Sequence, residues 1–116
     1  MLFSKNRLRK KKDIDNVLRN KSSKSAAVSF LSVRFLANEL PYSRIGFVVS
    51  KKISKKAVIR NKVKRRLREI SRNIVGDFEK GFDIVVFTKP EIANSDFNQI
   101  KNALELLLKK IGHKNS

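Results

Sequence analysis

The chain has 116 residues, no cysteine and a formal net charge of +18 at neutral pH. This length suits one compact domain around one hydrophobic core, and the lack of cysteine excludes disulfides, thiolate nucleophiles and cysteine-ligated zinc. A positive charge this large indicates a polyanionic partner, either nucleic acid or an anionic membrane surface.

The order of apolar and charged residues indicates a cytoplasmic protein. No apolar run exceeds four residues, whereas a membrane-spanning helix needs about 20. The N-terminal sequence MLFSKNRLRKKKD becomes basic before any apolar region develops, which is the reverse of a secretory signal. We therefore predict a single domain over residues 1–116, in which residues 1–7 and 112–116 are flexible.

In chain order, the predicted elements begin with a short helix. Asp13 is a suitable N-cap, and the apolar residues Ile14 and Leu18 follow it at helical spacing. β-branched and aromatic residues then predict strands at 28–36 and 44–50, and the turn residues ANELPYS lie between them. Two strands joined in this way predict a β-hairpin.

The second half of the chain alternates helix, strand and helix. A long helix is predicted at 57–74, a buried strand at 82–88, and a final helix capped by Ser95. The apolar stripe of the final helix comprises Phe97, Ile100, Leu104, Leu107, Leu108 and Ile111. Residues 1–72 contain 22 basic and four acidic residues, whereas residues 73–116 contain six of each. The polyanion should therefore face the first part of the chain.

The predicted helix at 57–74 overlaps the most basic stretch, because residues 51–69 carry ten cations and one acid. On a helical wheel its apolar residues share one narrow arc that should face the sheet, formed by Ile59, Val63, Leu67, Ile70 and Ile74. The opposite side of the helix carries Asn61, Arg65, Arg68 and Arg72. The flanking cations are Arg60, Lys62, Lys64 and Arg66.

This arrangement favours nucleic acid as the partner. Like charges four residues apart, such as Arg60, Lys64 and Arg68, repel by about 0.2 to 0.5 kcal/mol per pair, and a helix that merely faced water would intersperse Glu. A membrane-surface helix would expose bulky apolar residues opposite its cations, but the apolar arc has no aromatic residue and must cover the sheet. Arginine also suits phosphate, because its planar guanidinium can donate paired hydrogen bonds.

Two stretches, RIGFVVSKK at 44–52 and AVIRNKVKRRLRE at 57–69, resemble the signature of the bacterial ribonuclease P protein subunit. The resemblance extends from about Asn6 to Lys110. It implies an α+β fold: a two-layer sandwich of helices on a small, mostly antiparallel four-stranded sheet, in the order αβββαβα with a left-handed βαβ crossover. The patterns above account for three strands, and the resemblance places the additional one in KSAAV at 24–28.

The resemblance also implies a function. Proteins of this family bind the catalytic RNA subunit of ribonuclease P and the 5′ leader of precursor tRNA, and they assist the endonucleolytic removal of that leader. Hydrolysis is expected in the RNA subunit with Mg²⁺. The resemblance therefore implies no catalytic residue, metal ligand, cofactor or small-molecule substrate in this chain, which alone should be inactive. The sequence agrees, because its ten acids form no close cluster suited to two metal ions.

Site residues follow from the resemblance position by position. The resemblance assigns RNA binding to Lys51, Lys52, Arg60, Asn61, Lys64, Arg65 and Arg68, and the helical wheel adds Arg72. It assigns a cleft for the 5′ leader to Ile14, Leu18, Phe30 and Val33, for which core packing is the alternative. Two features depart from the family: aliphatic residues stand at the two helix positions of the cleft, where aromatic residues are common, and KKISKKAV lacks a common glycine.

Two other functions fit the composition. One is a structural RNA-binding protein of the ribosomal type, since such proteins are commonly basic. The other is a self-sufficient nuclease, which would need a constellation of carboxylates or histidines that the sequence lacks. The sequence RNKVKR following VSKK favours the ribonuclease P subunit over both.

Overall fold

The structure is a computed structural model, and it describes residues 6–50, 52–75 and 81–111. Its elements follow the order α1 (Lys11–Arg19), β1 (Lys24–Val28), β2 (Leu31–Ala37), β3 (Arg44–Val48), α2 (Ala57–Val75), β4 (Phe82–Thr88) and α3 (Phe97–Ile111). A 3₁₀ turn at Pro90–Asn94 joins β4 to α3. The α+β class and the element order are confirmed, and so is the strand in KSAAV.

The four strands form one mixed sheet in the order β1-β2-β4-β3. β1 pairs with β2 and β2 with β4 in the antiparallel sense, whereas β3 and β4 run parallel. The predicted hairpin between β2 and β3 is therefore wrong, because β4 lies between them. Ile84, Val85 and Val86 of β4 are fully buried, as is typical of a strand covered on both faces. α2 thus connects two neighbouring parallel strands; the left-handed sense of this crossover stays a prediction.

α2 and α3 cover one face of the sheet and form the main core with it. α2 buries Val63, Leu67 and Ile70 there, which confirms three members of the predicted arc. Ile59 is half-buried, and the side chain of Ile74 lies outside the described part of the chain. The buried residues of α3 are Ile100, Ala103, Leu104, Leu107, Leu108 and Ile111.

α3 begins with a reciprocal cap that the sequence analysis placed one residue too early. Asp96 Oδ1 accepts a hydrogen bond of 2.8 Å from the backbone N–H of Gln99, and Gln99 Oε1 accepts one of 2.9 Å from Asp96 N–H. Ser95, the predicted cap, instead ends the 3₁₀ turn, where its N–H bonds to the carbonyl of Ile92. Phe97 follows the cap directly and is 42% exposed, so it does not belong to the buried stripe.

α1 lies on the opposite face of the sheet. Val17 is fully buried in a second, smaller cluster that includes Val85 of β4. Ile14 and Leu18 are half-buried beside this cluster. Because α1 has only nine residues, it covers part of this face and leaves the rest open.

A polar network joins α1 to the sheet. Arg44 Nε and Nη2 donate hydrogen bonds of 2.8 and 2.6 Å to the two carboxylate oxygens of Asp83, and Arg44 Nη1 lies 3.3 Å from Asp13 Oδ2. Asn38 Nδ2 donates a further bond of 2.8 Å to Asp83 Oδ1. The hydrogen bond with Asp83 raises the pKa of Arg44 above its ordinary value, although burial opposes the shift. Asp13 thus serves this network and is not the predicted N-cap, a position held by Lys10.

Leu67→Ala should lower the free energy of unfolding by about 2 to 5 kcal/mol, because the side chain is fully buried between α2 and the sheet. Leu106→Ala is the matched control, since it removes the same atoms from an α3 side chain that is 51% exposed. The control should change the free energy by about 0.5 kcal/mol or less. Denaturant unfolding measures both, and equal losses would contradict the orientation of α2.

Candidate nucleic-acid interface

The outward side of α2 is a cationic ridge. Asn61, Arg65 and Arg72 are exposed, as the helical wheel predicts. Arg68, assigned to the same side, is instead half-buried and lines a recess at the outer edge of β3 together with Lys64. The predicted RNA-binding residues of α2 are therefore divided between an open ridge and a recess.

Arg60 holds the loop that precedes α2. Its Nη1 donates a hydrogen bond of 2.8 Å to the carbonyl oxygen of Ser54. At the start of the same loop, Ser50 Oγ accepts a bond of 3.2 Å from the backbone N–H of Lys52. Such bonds between side chain and backbone fix the path of a loop. Lys52 is exposed, and Lys51 lies outside the described residues.

The N-terminal segment, residues 6–8, runs along the outer edge of β3. Leu8 N–H donates a hydrogen bond of 3.0 Å to the carbonyl of Ile45. Gly46 permits this close approach, because a Cβ atom at that position would stand 2.5 Å from the carbonyl oxygen of Leu8. The segment thereby covers the edge of β3 that would otherwise be free.

A second contact fixes the N-terminal segment. The side chain of Asn6 is buried and donates a hydrogen bond of 2.8 Å from Nδ2 to the carbonyl of Ser43. Asn6 and Arg7 therefore both contact the fold, and the flexibility of residues 1–7 stays a prediction. Residues 1–5 and 112–116 lie outside the described residues.

On the other face of the sheet, α1 leaves a shallow groove open. It is lined by residues of β1, β2 and β4 that share this face, namely Ser25, Ala27, Ser32, Arg34 and Phe87. Ile14 and Leu18 of α1 belong to the same apolar cluster as Phe87. Since the ring of Phe87 is half-buried, it presents an aromatic surface next to the two aliphatic side chains.

Phe30 and Val33 do not line this groove with their side chains. They are 9% and 1% exposed and belong to the core beneath α2 and α3, on the face opposite Ile14 and Leu18. The burial of Phe30 and Val33 supports the alternative of core packing for their side chains, although Val33 is among the residues that border the groove. That either residue contacts the leader stays a prediction. Phe30 lies in the turn between β1 and β2, whereas Val33 lies within β2, so the alternation of side chains along a strand does not relate the two positions.

Sequence analysis missed Phe87 and Arg34. The run IVVF reads as buried throughout, which conceals the half-buried ring at its end. In β2, the alternation of Leu31, Ser32 and the residues that follow was a signal for an outward-facing arginine. Among the described residues, Arg34 Nε is buried and has no hydrogen-bond partner. The residue itself lines the groove and brings a positive charge to it.

The acidic residues and the helices of the described ranges bear on metal binding and on membrane insertion. There, no group of three or more His, Asp or Glu residues could hold a metal ion. No helix in the same ranges combines the length and the apolarity needed to cross a membrane. What the described surface offers is cations, hydroxyl groups and an aromatic ring, which are the groups that bind RNA backbones and unpaired bases.

Comparison with known proteins agrees with this chemistry. The ribonuclease P family model matches residues 2–112. The chain is 38% identical over 104 residues to the ribonuclease P protein component of Caldanaerobacter subterraneus subsp. tengcongensis, an alignment that covers 90% of this chain and 87% of the relative. The solved RNase P protein of Thermotoga maritima matches with a TM-score of 0.80 at 38% identity, over 90% of this chain and 96% of that one. The solved Staphylococcus aureus RNase P protein matches with a TM-score of 0.80 at 32% identity, over 90% of this chain and 94% of that one.

Gly46→Ala should detach the N-terminal segment from β3. The added methyl would meet the carbonyl oxygen of Leu8 at 2.5 Å, a distance that forces either the segment or the strand to move. Amide hydrogen exchange would report this as lost protection at Leu8, with a loss in stability of about 1 to 3 kcal/mol. Protection at Val33, in the middle of the sheet, is the internal control. Unchanged protection at Leu8 would show that the segment is not held by this contact.

Proposed function

The chain belongs to the ribonuclease P protein family, and from this premise we propose that it binds the catalytic RNA of ribonuclease P and the 5′ leader of precursor tRNA. In this role it assists the endonucleolytic cleavage that produces the mature 5′ end of tRNA. One observation carries the proposal: two surfaces suited to RNA lie on opposite faces of one sheet. A subunit with this arrangement can contact two RNA segments at once.

The cationic ridge of α2 is the proposed contact with the catalytic RNA. Arg65 and Arg72 are exposed on the side of the helix that the core does not use, and Asn61 can add a polar contact one turn before Arg65. Each phosphate that such a cation neutralises releases condensed counterions, which makes the binding strong at low salt and weak at high salt. Arg60 contributes by holding the loop that carries Lys52 to the start of the ridge.

The groove beside α1 is the proposed site of the 5′ leader. A single strand needs a flat partner for its bases and cations for its backbone. Phe87 supplies the ring and Arg34 the positive charge. Ile14 and Leu18 form the adjoining apolar wall. The aromatic partner that the family commonly carries on the first helix is thus replaced here by a ring on β4.

The chain is proposed to supply binding and not bond cleavage. Hydrolysis with Mg²⁺ is assigned to the RNA subunit, as the resemblance to the family implies, and the described residues include no group of three or more acids or histidines that could hold a metal ion. The chain alone should then leave precursor tRNA intact. The proposed location is the cytoplasm, since the sequence has no cysteine and needs no oxidising compartment.

A structural RNA-binding protein of the ribosomal type is the alternative. It would need the cationic ridge of α2, but it would have no use for a groove that combines an aromatic ring with an arginine. Binding that depends on a single-stranded 5′ leader separates the two functions.

Reconstitution with a bacterial ribonuclease P RNA should stimulate cleavage of precursor tRNA at low Mg²⁺. Arg65→Ala should weaken binding to that RNA and flatten the slope of log affinity against log salt by about 0.7 to 0.9, because one phosphate contact is lost. Lys101→Ala, an exposed change on α3, is the control for a lost charge and should leave the slope unchanged. A wild-type chain that gives no stimulation would refute the proposed function.

Phe87→Leu should weaken binding of precursor tRNA by about 1 to 3 kcal/mol, the contribution of one stacked base, and leave binding of mature tRNA unchanged. Phe97→Leu is the matched control, because that ring is exposed on α3, away from the groove. Affinities are measured for the reconstituted complex with both RNAs. Equal effects of the two variants would remove Phe87 from the leader site.

A further inference from the structure

The outer edge of β1 is a feature that the proposed function leaves unused. β1 is the last strand of the sheet, and among the described residues only β2 pairs with it. The opposite edge of the sheet, at β3, is covered by the N-terminal segment through the bond from Leu8 to Ile45. An uncovered edge strand presents backbone N–H and C=O groups that can pair with another strand. β1 is therefore the edge at which this sheet can be extended.

The residues of β1 that direct their backbone groups outward follow from its register. Val28 and Leu31 pair across a turn of two residues, so they form a hydrogen-bonded pair. Because such pairs alternate along an antiparallel ladder, Ser25 and Ala27 direct their N–H and C=O groups away from β2. Both residues are exposed. Proline and central charges, which block many edges, are absent, since the one charged residue of β1 is Lys24 at its first position.

A groove of about 360 Å³ lies beside the turn end of β1, between α3 and the turn that joins β1 to β2. None of the seven described residues that line it is charged, although the chain carries 28 basic residues. Its apolar part includes Val28 and Leu106, and Leu106 is 51% exposed. Gln99 and Asn102 add exposed, uncharged polar groups. RNA binding depends on cations, so this surface suits a protein.

A second copy of this chain fits both features. The edge of β1 accepts a strand, and the groove accepts a surface without strong charge. Two copies that each carry a net charge of +18 repel one another at their cationic faces, which restricts contact between copies to an uncharged face. An acidic partner would instead find its cations on α2. We propose that two copies of the chain associate through β1, so that their sheets join into one. This inference goes beyond the proposed function and does not rest on it.

An antiparallel pair of β1 strands satisfies the geometry. Centred on Ala26, it places Ser25 of each copy opposite Ala27 of the other, so that the outward groups of both residues are bonded. The contact is two-fold symmetric and uses the same surface of each copy. Each Lys24 then stands opposite Val28 of the other copy, where its aliphatic stem covers the groove and its ammonium group stays in water. The α2 ridges lie at the far edges of the joined sheet.

Sedimentation of the full chain tests the association. The dimer fraction should rise with protein concentration, and it should rise again between about 0.1 and 1 M salt, where the Debye length falls from about 10 to about 3 Å. RNA binding has the opposite dependence on salt. Leu106→Asn should weaken the association by about tenfold or more. Phe97→Asn is the matched control, because it removes an exposed apolar side chain of α3 that does not line the groove, and it should leave the association unchanged.

Amide hydrogen exchange locates the contact. The N–H groups of Ser25 and Ala27 should exchange rapidly in dilute wild-type chain and become protected at the concentration and salt at which dimers form. Ala26, whose N–H group bonds to β2, is the internal control and should be protected under both conditions. In Leu106→Asn at the same concentration, Ser25 and Ala27 should stay unprotected, while protection at Ala26 verifies that the variant keeps its sheet.

The opposite results would overturn the proposal. A chain that stays monomeric at high salt up to about 1 mM would leave the edge of β1 to a strand of a different protein. An association that weakens as salt rises would depend on charged groups, which the groove lacks. Dimers in which Ser25 and Ala27 stay unprotected, or which Phe97→Asn weakens as much as Leu106→Asn, would place the contact on another surface. Stimulation of precursor cleavage is measured separately and tests the proposed function alone.

Discussion

The central position of β4 is the constraint on which the rest of the structure depends. Its backbone pairs with β2 on one side and with β3 on the other, and both of its faces are buried. Because β3 and β4 run parallel, the chain between them must return to the starting end of the sheet, and α2 makes that return. A helix in this place has one side committed to the core. Because of this strand order, the opposite side of α2, which carries the cations, faces outward beside the edge of β3.

What could be predicted from the sequence is what local periodicity determines. The apolar arc of α2 recurs at helical spacing, so Val63 and Leu67 were assigned correctly to the core. The strand at β1 carries small and polar residues, and only the family resemblance indicated it. The hairpin prediction failed because turn residues indicate that the chain reverses, but they do not say which strand it will pair with. β4 comes later in the chain and takes the place that a hairpin would have filled.

The two candidate surfaces differ in how far they could be predicted. The ridge of α2 follows from the helical wheel, whereas the groove depends on which face of β2 and β4 each side chain occupies. Which face is buried depends on how α1, α2 and α3 pack on the sheet. The local sequence therefore does not indicate that Phe30 lies in the core and that Phe87 is half-buried at the surface. The recess at the outer edge of β3 depends on the contact of Leu8 with β3, which Gly46 makes possible although the two residues are far apart in sequence. No periodic pattern could have indicated it.

The pairing of Leu31 with Thr88 and of Arg44 with Asp83 has a consequence for how the chain is made. The nascent polypeptide leaves the ribosome N-terminus first, so β2, β3 and α2 emerge before β4 exists outside the exit tunnel. Until then, β2 and β3 have no strand between them and Leu67 has no complete sheet to cover. Contacts between residues this distant in sequence also form slowly. During translation the most basic helix of the molecule therefore emerges beside ribosomal RNA before the sheet that it covers is complete, and the last third of the chain must be synthesised before the domain can close.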